Sequence, residues 1–188
     1  MVSGLQQDIQ AAVKALQQGQ LIAYPTESVF GLGCDPQQHD AVEGLIKAKQ
    51  RNPNKGLILV ASSFAQLKPY IAEINEELAS RAKKSWPGPV TWVWPVKEDG
   101  LISPLLTGQH KSIAVRVTRH PVAAALCEAF QGAIVSTSAN LEGKMPAKTA
   151  QQVAANFHNQ LAVIVQGDVG DLLQPTPIYD VITQAELR

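Results

Sequence analysis

Apolar residues recur along this chain with two alternating periods. Leu5, Ile9, Ala12, Val13 and Leu16 fall at helical spacing, Gly19 follows as a stop signal, and the run 21–24 reads as a short buried strand closed by Pro25. The stretch 41–48 is a second helix with Val42, Leu45 and Ile46 on its apolar side, and GLILVA at 56–61 is too short and too uniformly apolar for anything but a buried strand. Helices are predicted over 64–70 and 73–84, strands over 90–96 and 113–117, a helix over 121–130 with proline in its first turn, and a strand over 133–136. The last third repeats the theme: a helix over 149–157, a strand over 162–165, a Gly/Asp/Pro-rich loop over 167–175 and a closing strand over 178–182. This alternation predicts an α/β fold, a sheet covered by helices, with ligands at strand ends where loops converge.

Size and composition narrow the class. A chain of 188 residues, 45% apolar, suits a single domain over 1–188 with a continuous core. No apolar run approaches the roughly 18 residues that cross a bilayer, and the N-terminus lacks the basic and apolar regions of a signal peptide, so a cytoplasmic protein without membrane contact is expected. Cys34 and Cys127 fit neither a disulfide framework nor a zinc motif; both are expected reduced, with Cys127 in packing. Formal charge is zero, which argues against a strongly nucleic-acid-binding chain, but its distribution is uneven. Residues 47–119 carry twelve Lys/Arg and five Asp/Glu, a net of +7, and the remainder carries four and eleven, a net of −7. Either an anion site or a solvated basic face accounts for that asymmetry.

Three polar segments sit at predicted strand ends. In Ser136-Thr137-Ser138-Ala139-Asn140, three hydroxyls and a carboxamide follow an apolar strand and can donate to an oxyanion or phosphate without adding charge; a Ser/Thr turn with a helix N-cap has the same composition. In KAKQRNPNK four cations fall within nine residues, and Pro53 forbids a continuing helix, so Lys49, Arg51 and Lys55 are predicted to project from a loop, around a triphosphate or as a solvated helix end. The segment 24–33, YPTESVFGLG, is read as a loop in which Pro25 sets the exit of Thr26 and Glu27 from a strand and Gly31 and Gly33 allow close backbone approach. Nothing matches a Walker loop or a strand-linked G-x-G-x-x-G.

Six segments carry a family resemblance. YPTESVFGLGCDP, LIKAKQRNPNKGLILV, WPGPVTWVWP, SIAVRVTRHP, IVSTSAN and TPIYDVI resemble, in this order and nearly across the chain, the signature segments of the TsaC/YrdC threonylcarbamoyl-AMP synthases, in their short stand-alone bacterial form. The resemblance implies a YrdC-like twisted open mixed sheet with a concave substrate cavity. It also implies synthesis of threonylcarbamoyl-adenylate from L-threonine, bicarbonate and ATP, with release of pyrophosphate, for threonylcarbamoyl-adenosine modification of tRNA beside the anticodon. Lys49 and Arg51 match the family's Lys-x-Arg, and Ser138 and Asn140 its Ser-x-Asn; these four are the implied catalytic and phosphate-holding groups. Thr26, Arg116, Ser136 and Thr176 are the implied threonine and carbamate side, with Thr176 where many relatives have Ser. Arg188 resembles an arginine near the family's domain end that approaches ATP.

The chemistry of such a reaction suits these residue types. A carbamate oxygen attacks the α-phosphorus of ATP, anion on anion, so cations and neutral donors around the phosphates matter more than covalent catalysis. Arg116 on a strand suits a bidentate contact with the threonine carboxylate. The carbamate is already anionic, so no catalytic histidine is expected, and His39, His110, His120 and His158 are read as surface or satisfied residues. ATP is a substrate, Mg²⁺ is expected to arrive with it rather than at a protein metal site, and downstream tRNA-modifying proteins are expected partners. The rival class is an RNA-binding module without catalysis, holding tRNA or double-stranded RNA on the basic segment; weak RNA binding is compatible with either reading, and its steep salt dependence would separate them. Carbamoyl transfer from carbamoyl phosphate is a second enzymatic alternative.

Overall fold

In the computed structural model, which describes residues 3–98 and 102–188, eight strands form a single mixed sheet. The chain runs through α1 (Gly4–Gln17), β1 (Ile22–Pro25), β2 (Phe30–Gly33), α2 (His39–Lys49), β3 (Ile58–Ala61), α3 (Glu76–Ser85) and β4 (Thr91–Pro95). It continues through α4 (Pro104–Thr107), β5 (Ser112–Val117), α5 (Pro121–Phe130), β6 (Ile134–Ser138), α6 (Ala150–Phe157), β7 (Val163–Ile164) and β8 (Ile178–Asp180). Strand order is β7-β1-β2-β6-β3-β5-β4-β8. β1 with β7, β3 with β5 and β4 with β8 pair parallel, and the other neighbours pair antiparallel. The α/β class and the mixed sheet flanked by helices are as expected. No described helix is long and apolar enough to cross a membrane.

Local signals explain most boundaries. The Ser3 hydroxyl accepts from the Gln6 amide to cap α1, and Gly19 follows the helix at φ +71°, a left-handed position that favours glycine. Pro121 opens α5.

Four expectations need correction. Segment 24–33 is not one loop, because Phe30–Gly33 is a fully buried strand paired with β1 from Ile22↔Gly33 to Pro25↔Phe30. The close approach expected at Gly33 is therefore made within the sheet: a Cβ there would stand 2.7 Å from the Val135 carbonyl and 2.8 Å from the Tyr24 ring. The strand expected to end at Ser136 runs on, so Thr137 and Ser138 belong to β6 instead of following it. Residues 64–70 form only a short 3₁₀ turn, Phe64–Leu67, and α3 begins at Glu76, capped by the Asn75 side chain. Lys49 does not project from a loop; it is the last residue of α2 and is buried.

Side-chain alternation gives the sheet two different faces. On β6, Val135 joins Leu32, Leu59, Val115 and Trp94 in the larger core, while Ile134 joins Tyr24, Val60, Leu16 and Leu126 beneath α1 and α5. Full burial of each such Leu or Ile contributes about 1.5–3 kcal/mol. Ser136 and Ser138 stand two and four residues beyond Ile134, and therefore on its face. β3 carries the pairings Ile58↔Ser136 and Val60↔Arg116, so Arg116 lies on that face as well. The face is apolar under the helices and polar beyond them.

Candidate active site

The phosphate-side residues meet where α2 ends against the end of β6. The Lys49 ammonium donates to the carbonyls of Ser138 and Asn140, the latter at 2.6 Å. The Ser138 hydroxyl donates to Asn140 Oδ1 at 2.6 Å, and Asn140 Nδ2 donates to the carbonyls of Leu141 and Lys144 at 2.9 and 2.8 Å. Arg51 follows the left-handed Gln50; its Nη2 donates to the Gly56 carbonyl at 2.9 Å, and its Nε is buried without a hydrogen-bond partner. Lys55, which the sequence grouped with these cations, is instead paired with Glu142, whose carboxylate also accepts from the Asn52 amide at 3.0 Å. Those contacts, Lys55 foremost, hold the Glu142 carboxyl below its ordinary range and tie the loop after α2 to the segment after β6.

Burial pushes the Lys49 ammonium down to about 8, Arg51 adds repulsion, and Glu142 opposes both. A lysine depressed this far is half charged at pH about 8, fully charged only well below it, and neutral well before an ordinary lysine. We therefore expect kcat/KM for ATP to fall as pH rises through about 8 in the wild type. In Lys49→Arg the level is expected to be lower, but flat over the same range, because guanidinium does not titrate there. A pH profile of initial rates checks both, and a wild-type rate unchanged up to pH 10 contradicts the assignment.

The threonine-side residues gather around Arg116. Its Nη1 donates to Thr176 Oγ1 at 2.9 Å and to Thr91 Oγ1 at 3.2 Å, and its Nη2 lies 3.2 Å from Glu27 Oε2. Glu27 Oε1 accepts from the Thr118 hydroxyl at 2.6 Å. Burial alone would raise the Glu27 carboxyl, but Arg116 and Thr118 outweigh it and keep the group below its ordinary value. Thr26 spends its hydroxyl on the Val29 carbonyl at 2.7 Å. A Cβ on Gly31 would sit 3.3 Å from both Ser136 Oγ and Thr26 Cγ2, so these two residues flank that glycine. Arg188 is anchored through its Nη2 to the Thr176 carbonyl at 3.1 Å, and its own carbonyl accepts from the Ile178 amide at 2.9 Å. Burial lowers its basicity, with further repulsion from Arg116 and Arg51, which places three guanidinium groups around one region.

Ser136 and Ser138 bridge the two halves, because residues two apart on one face of a strand are about 7 Å apart. All nine residues expected at the site thus fall in two adjoining clusters. Glu27, Thr91 and Thr118 were not anticipated; Thr118 lies two residues beyond Arg116 on the same segment, but only the assembled sheet brings Thr91 of β4 and Glu27, from the loop after β1, to Arg116. Two surface depressions, of about 500 Å³ beside Lys111 and about 290 Å³ beside Asp40, lie elsewhere and are not the expected substrate cavity. Among the described residues no group of three or more His, Cys, Asp or Glu is placed to hold a metal. Cys34 and Cys127 are buried free thiols. His39 Nδ1 lies 3.0 Å from Ser103 Oγ, and buried His120 pairs Nε2 with the Asp168 carbonyl at 3.0 Å while its Nδ1 has no hydrogen-bond partner. The His158 side chain lies outside the described ones.

A family model named Sua5_yciO_yrdC and described as "Telomere recombination" matches residues 14–188. The threonylcarbamoyl-AMP synthase of Photobacterium profundum is 49% identical over 183 residues, covering 96% of this chain and 98% of that protein. That of Aliivibrio fischeri is 50% identical with the same coverage. Among solved structures, P. abyssi Sua5 complexed with L-threonine superposes with a TM-score of 0.88 at 34% identity over 96% of this chain. The present chain spans only 53% of that Sua5 chain.

Proposed function

The chain belongs to the Sua5/YciO/YrdC family, and on that premise we propose that it makes L-threonylcarbamoyl-adenylate from L-threonine, bicarbonate and ATP, releasing pyrophosphate, for tRNA modification. The observation that carries this reading is the juxtaposition of Lys49, Arg51, Ser138 and Asn140 with Arg116 and its hydroxyl partners on one polar sheet face. Adenylation of a small acid needs that arrangement: cations for a triphosphate beside a guanidinium for a carboxylate.

In this reading threonine's amine and bicarbonate condense to a carbamate with loss of water. A carbamate oxygen then forms a bond to the α-phosphorus as the bond to the β-phosphate oxygen breaks, and pyrophosphate takes the departing electron pair. Lys49 and Arg51 offset phosphate charge, and Ser138 and Asn140 supply neutral donors by giving up their bonds to Asn140 Oδ1 and to the Leu141 and Lys144 carbonyls, so catalysis is positioning and electrostatics. The buried, unpartnered Arg51 Nε suits this role, since a donor left unpaired costs stability until an acceptor arrives. Arg116 receives the threonine carboxylate, with Thr26, Ser136 and Thr176 around it, and Arg188 adds charge on the ATP side. Mg²⁺ arrives on the triphosphate, and the product passes to tRNA-modifying partners in the cytoplasm.

Pyrophosphate release from ATP is expected only when threonine and bicarbonate are both present, with a threonine-containing adenylate visible by mass spectrometry. Release of inorganic phosphate, or pyrophosphate formed without threonine, would sink the proposal.

A further inference from the structure

We propose that Glu27 is a positioning residue of the threonine subsite: its buried carboxylate holds Arg116 there and keeps that guanidinium from being drawn to the nucleotide phosphates. The inference rests on the reading above, in which threonine and ATP bind side by side.

Arg116 has a choice of anions to answer to. A guanidinium carries five N–H donors, and the two on Nη1 are given to Thr91 and Thr176, hydroxyls that orient without holding charge. Arg188 stands close enough to Arg116 and to Arg51 to be repelled by both, so a triphosphate entering this region would attract every guanidinium free to swing. Glu27 opposes that pull. Its side chain and that of Arg116 are 8% and 6% exposed, where screening by water is weak.

Glu27 is itself held at both ends. Its main-chain carbonyl accepts from the Leu172 amide at 3.2 Å, and the preceding Thr26 carbonyl accepts from Gly170 at 2.9 Å. Gly170 packs so closely that a Cβ there would stand 2.6 Å from the Glu27 carbonyl oxygen. At the other end, the His120 amide donates to Thr118 Oγ1 at 3.1 Å, which turns the hydroxyl proton toward Glu27 Oε1. The contact with Arg116 is different in kind. Glu27 Oε2 and Arg116 Nε both lack hydrogen-bond partners although Oε2 and Nη2 are 3.2 Å apart. The pair is therefore held by charge without a directed bond, which leaves the buried Nε as an unspent donor beside the Nη2 that faces Glu27.

The test is Glu27→Gln in the full chain, with initial rates of pyrophosphate release giving KM for each substrate and calorimetry giving ATP affinity without threonine. We expect the threonine KM to rise about tenfold, kcat at saturating threonine to stay within about threefold, and ATP affinity to hold or tighten. A merely structural role would weaken both ligands together, and that result, or an unchanged threonine KM, overturns the inference. Should Glu27→Gln not fold, Thr118→Val keeps the charge and removes only its anchor, and is expected to raise the threonine KM about threefold with ATP unmoved; an unmoved threonine KM there overturns it equally. A wild type that releases no pyrophosphate with threonine overturns the underlying reaction, whereas an active wild type matched by its variants overturns this inference alone.

Discussion

Replacing Lys49 with alanine is expected to cut ATP affinity or turnover about tenfold or more, since one charge-assisted contact is worth roughly 1.5–3 kcal/mol and 1.4 kcal/mol is a factor of ten. Arg51→Ala is expected to fall in the same range, and the double variant to be nearly inactive. The two single variants should differ in stability. Lys49 is 2% exposed and donates to two carbonyls, so its removal leaves acceptors unpaired and costs about 1–3 kcal/mol of folding stability. Arg51 gives the protein one carbonyl contact and should cost less. Were Lys49 a solvated helix-end cation, the change would cost a few tenths of a kcal/mol and leave catalysis intact. Lys49→Arg separates the cases further: a planar fork does not replace a compact ammonium seated on two carbonyls, so impaired turnover is expected. ATP titration by calorimetry with thermal denaturation of each variant checks the whole set, and wild-type turnover in all three single variants refutes the assignment.

Arg116→Ala is expected to abolish most threonine binding while ATP binding survives, with a loss of about 1.5–3 kcal/mol for threonine, or roughly ten- to a hundredfold. The variant should also be destabilised by about 3–5 kcal/mol, because it strands the buried Glu27 carboxylate without its counter-ion. These effects are separable. Adding Glu27→Gln to Arg116→Ala removes the stranded charge and should recover much of the melting temperature without recovering threonine binding. Equal loss of both ligands in the folded double variant would show that Arg116 is shared or structural. Calorimetry with each ligand, on protein shown to be folded, decides between them.

The alternation of helical and extended apolar patterns was enough to place α1, α2, α5 and most strands, because each of those elements buries one continuous stripe or run. The cation pair at Lys49 and Arg51 and the Ser-x-Asn at the end of β6 stand out through the family resemblance; by composition alone they fit a phosphate site or a solvated helix end and a Ser/Thr turn equally. What the pattern could not convey was which side of a boundary a polar residue occupies. An apolar pattern ends the predicted strand at Ser136 and leaves Ser138 in a loop, yet β6 runs past the helices that cover Ile134 and keeps its ladder while its outward partners turn polar. Gly31 and Gly33 have the close approach expected of them, but in a strand and not a loop, and the groups they approach, Tyr24, Ser136 and Val135, come from other strands. The expectation that Lys49 projects from a loop rests on Pro53 and local charge, whereas its burial depends on two carbonyls some ninety residues away in sequence.

Glu27 shows the division most sharply. Its place after β1 follows from the local sequence, but its partners Arg116 and Thr118 come from β5 and the residue that follows it, and the loop that pins its main chain comes from beyond β7. Local free energies along a chain decide where helices and strands begin, and those are written in neighbouring residues. A charge is worth burying only when its counter-charge and donors arrive from elsewhere, so which ionisable residues pair is decided only when the strands assemble.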